Sequence, residues 1–79
     1  MSKEQILERL GELEIERQEL IAEQNSIDDL QNYVLSNDAS RSDEFRHMIQ
    51  RRQISVNIRA HKWEHEVAQL EKEADALAA

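Results

Sequence analysis

The chain has 79 residues, one glycine, no cysteine and no proline, and this composition excludes several classes of protein. Without cysteine there is no disulfide framework and no thiolate for catalysis or for binding zinc. β-Proteins need turn residues at each hairpin, and this chain offers almost none. Charged residues make up 34% of the chain and the formal net charge is −7, a balance typical of long amphipathic helices. No run approaches the roughly 18 apolar residues of a membrane span, so we expect a cytoplasmic protein without membrane contact.

Apolar residues recur at every seventh position along the first half of the chain. This first column holds Ile6, Leu13, Leu20, Ile27 and Val34. A step of seven corresponds to two helical turns, so the column forms one stripe along a helix. Ser2 and Gln5 have the spacing of a capping box that begins such a helix. The pattern predicts a first helix over about 3–36.

A cluster of turn-forming residues follows the first column, and a second column follows the cluster. The second column holds Ile49, Val56, Trp63, Leu70 and Leu77. Ser, Asn and Asp residues predict a turn at 37–40, and Ser40 with Asp43 resembles a second capping box. The second helix is predicted over about 41–77.

The two columns match each other when the chain folds back near residue 41. The matched pairs are Ile6 with Leu77, Leu13 with Leu70, Leu20 with Trp63, Ile27 with Val56 and Val34 with Ile49. We therefore predict an all-α fold, an antiparallel, coiled-coil-like two-helix hairpin that forms a single domain over 1–79. The alternative is one continuous helix that dimerises as a parallel coiled coil, and the break in the seven-residue phase between the columns disfavours it.

The second predicted helix carries another apolar face, nearly opposite the second column. This face consists of Ile54, Ile58, His61, His65 and Ala68. A helix with apolar stripes on two opposed faces is normally packed between neighbours, although single exposed Ile and Leu residues are also common. We predict that Ile54, Ile58, His61 and His65 mediate self-association, giving a homodimer that forms a four-helix bundle. Trp63 is included as a possible interface anchor, although its place on the column favours a role in the core.

The segment His61-Lys62-Trp63-Glu64-His65 resembles the H-x-x-E-H pattern of the inverzincin metalloproteases. The resemblance implies that His61 and His65 ligate zinc and that Glu64 acts as the general base. Members of that family take a third, distant Glu ligand and have large α/β folds, whereas a short hairpin has no room for a pocket. We therefore expect no catalytic residue, no metal site within the chain and no cofactor, and we interpret both histidines as interfacial. Any further metal ligand must come from another chain.

Charge is distributed unevenly along the chain. Residues 41–62 carry six basic and two acidic side chains, whereas residues 63–79 carry five acidic and one basic. The basic cluster that can contact a partner or nucleic acid consists of Arg46, Arg51, Arg52, Arg59 and Lys62. These side chains can equally form ion pairs with the acidic first helix. The acidic strip of that helix, which can dock on a basic partner, consists of Glu8, Glu12, Glu16, Glu19 and Glu23.

These observations favour a protein that binds other macromolecules over an enzyme. We expect a small, non-enzymatic helical module that self-associates and docks on a protein partner whose identity the residues do not reveal. The alternative is a small acidic inhibitor, such as a phage-encoded anti-defence protein, that occludes a basic, nucleic-acid-binding site on its target. The second alternative is a helical dimer that binds nucleic acid, which the net charge of −7 disfavours.

Overall fold

The computed structural model describes residues 1–36 and 43–78, which contain two α-helices, α1 (Lys3–Ser36) and α2 (Asp43–Ala78). At the start of α1, the backbone N–H of Gln5 donates to the Ser2 hydroxyl at 3.2 Å, and the backbone N–H of Ser2 donates to the Gln5 side chain at 2.9 Å. The predicted capping box is confirmed. The predicted turn at 37–40, the Ser40 cap and the predicted start of the second helix lie outside the described residues.

The two helices pack against each other to form a rod of 58 × 15 × 14 Å. Their direction is antiparallel, because Arg9 near the start of α1 contacts Glu66 in the second half of α2, while Ser26 contacts Arg52 in the first half. The predicted helical hairpin is confirmed, and the single continuous helix is wrong. Neither described helix holds a stretch that is both long and apolar enough to cross a membrane.

The two columns of apolar residues form the core of the hairpin, divided into two clusters. The cluster nearer the termini contains buried Ile6, Leu13 and Leu70, with Leu10, Trp63, Val67 and Ala74 packed beside them. The other cluster contains buried Ile27, Val34, Ile49 and Val56, with Leu20, Leu30 and Phe45 beside them. Sequence periodicity therefore identified the side chains that pair the helices.

Leu77 is the exception in the second column, because its side chain is 56% exposed. Its predicted partner Ile6 lies only three residues after the first residue of α1. Less than one turn of α1 is therefore available to cover the last turn of α2. Ile6 itself is buried by the cluster that contains Leu13 and Leu70.

Polar groups inside the seam set the register of the two helices. The indole N–H of Trp63 donates to the backbone carbonyl of Leu13 at 2.6 Å. Gln24 and Gln53 form a reciprocal amide pair, each Nε2 donating to the other Oε1, at 2.9 and 2.8 Å. The same amide nitrogens also donate to Asp28 and Asn57, one turn along each helix. Because these bonds require particular neighbours, shifting one helix along the other breaks them.

Ion pairs join the helices along one side of the seam. Arg9 binds Glu66 through two parallel hydrogen bonds, with Nε–Oε2 at 2.5 Å and Nη2–Oε1 at 2.9 Å. Nearer the loop, Arg59 bonds to Glu23 and Arg52 to Ser26. The hydrogen bonds from Arg9 lower the pKa of Glu66, and those to Glu66 raise the pKa of Arg9 further above its usual range.

Candidate functional site

The second apolar face of α2 lies on the side of the helix that points away from α1. We call it the outer face of α2, and its residues form two rows with a seven-residue step. The rows are Arg51, Ile58, His65 and Lys72, and Ile54, His61, Ala68 and Asp75. All eight side chains are exposed, and the isoleucines Ile54 and Ile58 retain 57% and 52% of their accessible surface.

The side chains of the outer face of α2 are not bonded to other side chains in the described part of the hairpin. Among residues 1–36 and 43–78, none of its eight side chains takes part in a side-chain hydrogen bond or an ion pair. The corresponding side of α1 differs, because its central residues are Gly11, Ile15, Gln18, Ala22 and Asn25. Ile15 is the one large apolar residue among these five, whereas Ile54 and Ile58 lie one turn apart on α2. The outer face of α2 is therefore distinguished by two exposed isoleucines one turn apart, while α1 exposes Leu7, Ile15 and Ile21.

Trp63 lies apart from the other four residues of the predicted self-association face. It is partly buried in the seam, packs against the cluster of Ile6, Leu13 and Leu70, and donates its indole N–H to Leu13. Ile54, Ile58, His61 and His65 all lie on the outer face. The geometry thus assigns Trp63 to the contact between α1 and α2 and leaves the other four side chains exposed on the outer face.

His61 and His65 are exposed neighbours one turn apart on the outer face. They border a shallow depression that Lys62, Glu66 and Gln69 also line. Within the described part of the chain, no three His, Cys, Asp or Glu side chains come together in a way that could hold a metal ion. One described hairpin therefore offers this histidine pair two imidazoles and no further ligand of that kind.

The predicted basic cluster is divided between the seam and the solvent. Arg59 bonds to Glu23 and Arg52 to Ser26, so these two side chains reach α1. Arg46, Arg51 and Lys62 are exposed and form no ion pair with any described residue. Arg52 and Arg59 thus contact α1, whereas the other three basic side chains remain exposed.

The predicted acidic strip is also partly occupied by arginines. Arg9 contacts Glu12 at 2.9 Å and Glu16 at 3.6 Å, and Arg59 bonds to Glu23. Glu8 and Glu19 are exposed and have no ion pair among the described residues. Three of the five carboxylates are therefore partly neutralised within the hairpin, which reduces the charge that the strip can offer a basic partner.

Some residues that organise these surfaces were missed by sequence reasoning. The pair Gln24 and Gln53 was not predicted, and neither was the pair Arg9 and Glu66. A signal was present in the first case, because two glutamines facing each other across a seam can form a reciprocal amide pair. The long side chains of Arg9 and Glu66 allow many pairings, and sequence spacing does not select one of them.

The chain matches no protein-family model, no curated protein and no solved structure.

Proposed function

We propose that this protein is a non-enzymatic helical interaction module that pairs with a second copy through the outer face of α2 and docks, as a pair, on a macromolecular partner. The observation that carries the proposal is the exposure of Ile54 and Ile58 beside two histidines whose side chains form no hydrogen bond or ion pair with any described residue. Burying an isoleucine side chain completely contributes roughly 1.5–3 kcal/mol, and pairing along this face covers the exposed part of both isoleucines of each copy.

The charge pattern of α2 favours a second copy as the occupant of this face. The half of the helix before Trp63 is predominantly basic, and the half after it is predominantly acidic. Two such helices attract each other when they run antiparallel, because each basic half then lies beside the acidic half of the other copy. A parallel pair places like charges together along the whole length.

The two rows of the outer face also select a register. In an antiparallel pair, each row faces the other row of the second copy, as in a coiled coil. One register places Arg51 opposite the second copy's Asp75. A shift of seven residues instead places Glu44 opposite the second copy's Asp75, so that like charges meet. The first register is therefore preferred, and its twofold axis passes beside Trp63.

The proposed dimer has its two α2 helices in the middle and its two α1 helices outside. This order follows because the outer face of α2 lies nearly opposite the seam with α1. The four helices then lie closer to a layer than to a square bundle. Both surfaces of α2 are covered in this arrangement, which accounts for a helix with two apolar stripes.

The test is the molecular mass in solution of the metal-free protein, measured by sedimentation equilibrium in EDTA. We expect a dimer for the wild type and a monomer for the double variant Ile54→Gln/Ile58→Gln, since four neutral amides replace apolar side chains in the interface. The matched control is Ile15→Gln, which makes the same change on the exposed side of α1, where Ile15 is 60% exposed. Circular dichroism verifies that each variant stays helical. A monomeric wild type, or a double variant that remains dimeric, contradicts the proposed interface.

The orientation of the pair is tested separately with a spin label at Gln50→Cys, an exposed position on α2. With the twofold axis beside residue 63, the two labels are separated by about 39 Å along the helices, at 1.5 Å per residue. A parallel dimer brings them to about 10 Å, the spacing of packed helices. A short distance measured by double electron–electron resonance therefore overturns the antiparallel register.

A further inference from the structure

We infer that the paired hairpins bind one transition-metal ion of the Zn²⁺ class through four imidazoles, those of His61 and His65 from each of the two copies. This inference rests on the proposed dimer, because the site is incomplete in one chain. It proposes a ligand for the dimer, and it explains why two histidines lie on a face that otherwise consists of apolar and charged residues.

Each hairpin supplies half of the site. His61 and His65 are four residues apart on one helix, so their side chains project from the same face. Both are exposed, and neither forms a hydrogen bond or ion pair with any described residue. The described part of one chain brings no third His, Cys, Asp or Glu to complete a metal site. A single hairpin can therefore chelate an ion only at its surface, with water in the remaining positions.

The second copy supplies the other half because of where the twofold axis lies. The charges of Arg51, Glu44 and Asp75 place that axis beside residue 63, without any reference to the histidines. His61 and His65 lie two residues before and two residues after this point. In the antiparallel pair, His61 of each copy therefore faces His65 of the other, and the four imidazoles gather around the axis. In the register shifted by seven residues, His61 faces the second copy's Ile58 and no such cluster forms.

Four neutral imidazole nitrogens suit Zn²⁺, which prefers tetrahedral coordination by nitrogen or sulfur ligands. A site with four protein ligands has no open position for substrate, so its role is structural. Lys62 and Glu64 lie between the two histidines in the sequence and flank the pair on either side around the helix, so their charges offset each other near the ion. An ion that binds the dimer and not the separate chains shifts the equilibrium toward the dimer.

The experiment measures the dimer dissociation constant by sedimentation, first in EDTA and then with a small excess of ZnCl₂ after EDTA removal. Isothermal titration gives the stoichiometry. We expect one zinc ion per two chains and a dissociation constant lowered by at least about tenfold, because zinc binds the dimer preferentially. His61→Ala/His65→Ala should abolish the response to zinc. The matched control is His47→Ala, which removes the other exposed histidine of α2 and should leave the response unchanged.

The outcomes separate this inference from the proposed function. A dimer in EDTA that does not respond to zinc overturns the metal site and leaves the dimer intact. A monomer in EDTA that dimerises with zinc supports the metal site and overturns metal-independent pairing. Zinc bound at one ion per chain, without dimerisation, shows a surface chelate and overturns the shared site. A protein that stays monomeric and binds no zinc overturns both.

Discussion

Helix α2 carries two apolar stripes with the same seven-residue step, and the structure treats them differently. On the inner side, Val56 and Leu70 keep only 5% and 4% of their accessible surface. On the outer face, Ile54 and Ile58 keep 57% and 52%. Residue type does not explain the contrast, because both stripes contain branched aliphatic side chains. The difference lies in what faces each stripe, since α1 covers the inner one and nothing in the described hairpin covers the outer one.

The polar groups near the two stripes differ as well. The inner stripe is accompanied by the Trp63–Leu13 hydrogen bond and by the Gln24–Gln53 amide pair. These groups are satisfied only when α1 and α2 are in their observed register. On the outer face, His61 and His65 have no such partners among the described residues. Paired polar groups therefore fix the register of the inner stripe. The histidines of the outer stripe have no such partner among the described residues, so they remain available to contact a second copy.

The largest difference in stability between the two stripes is expected when one residue of each is replaced by alanine. Leu70→Ala leaves a cavity in the cluster around Leu13 and should lower the free energy of unfolding by about 2–5 kcal/mol at every protein concentration. Ile58→Ala should instead weaken only the part of the stability that rises with protein concentration, because its burial depends on a second copy. Urea denaturation at two protein concentrations measures both. An Ile58→Ala variant as destabilised as Leu70→Ala in dilute solution contradicts the distinction.

Most of the hairpin could be predicted from sequence because a seven-residue step is a property of one helix and needs no knowledge of its neighbours. The exposure of Leu77 was not predicted, since it depends on where α1 begins opposite the last turn of α2. The ion pair between Arg9 and Glu66 was not predicted either, because long charged side chains can reach several partners. For the candidate site, spacing placed Ile54 and Ile58 together and placed Trp63 on the column that forms the seam, but it could not predict the hydrogen bond from Trp63 to Leu13.

A smaller effect is expected from the amide pair that distinguishes the inner stripe. Gln53→Leu leaves the half-buried Gln24 amide without its partner across the seam and should cost about 1 kcal/mol of stability. The double variant Gln24→Leu/Gln53→Leu should recover that loss, because two leucines pack together without polar groups to satisfy. Urea denaturation of the single and double variants gives the coupling energy.

The matched control for the amide pair is Gln50→Leu, an exposed glutamine on the same helix, which should change stability by less than about 0.5 kcal/mol. If the costs of Gln24→Leu and Gln53→Leu simply add in the double variant, the two amides do not act as a pair. The stabilised double variant should also tolerate more than one register, which broadens the distances measured between labels placed on the two helices.

The smallest expected effect concerns the ion pair that borders the seam. Arg9 lowers the pKa of Glu66 through hydrogen bonds, so the folded hairpin holds the Glu66 proton less tightly than the unfolded chain does. The contribution of the pair to stability is therefore complete above the ordinary pKa of a glutamate and is lost as the pH falls through the lowered pKa of the folded state.

Glu66→Gln should flatten this part of the pH dependence of unfolding, measured between about pH 7 and about pH 3. Glu71→Gln, an exposed carboxylate of α2 with no ion pair among the described residues, should leave the profile unchanged. Equal profiles for the two variants would show that Arg9 and Glu66 do not stabilise the inner contact, and that its register depends on the amide pair and the Trp63 hydrogen bond alone.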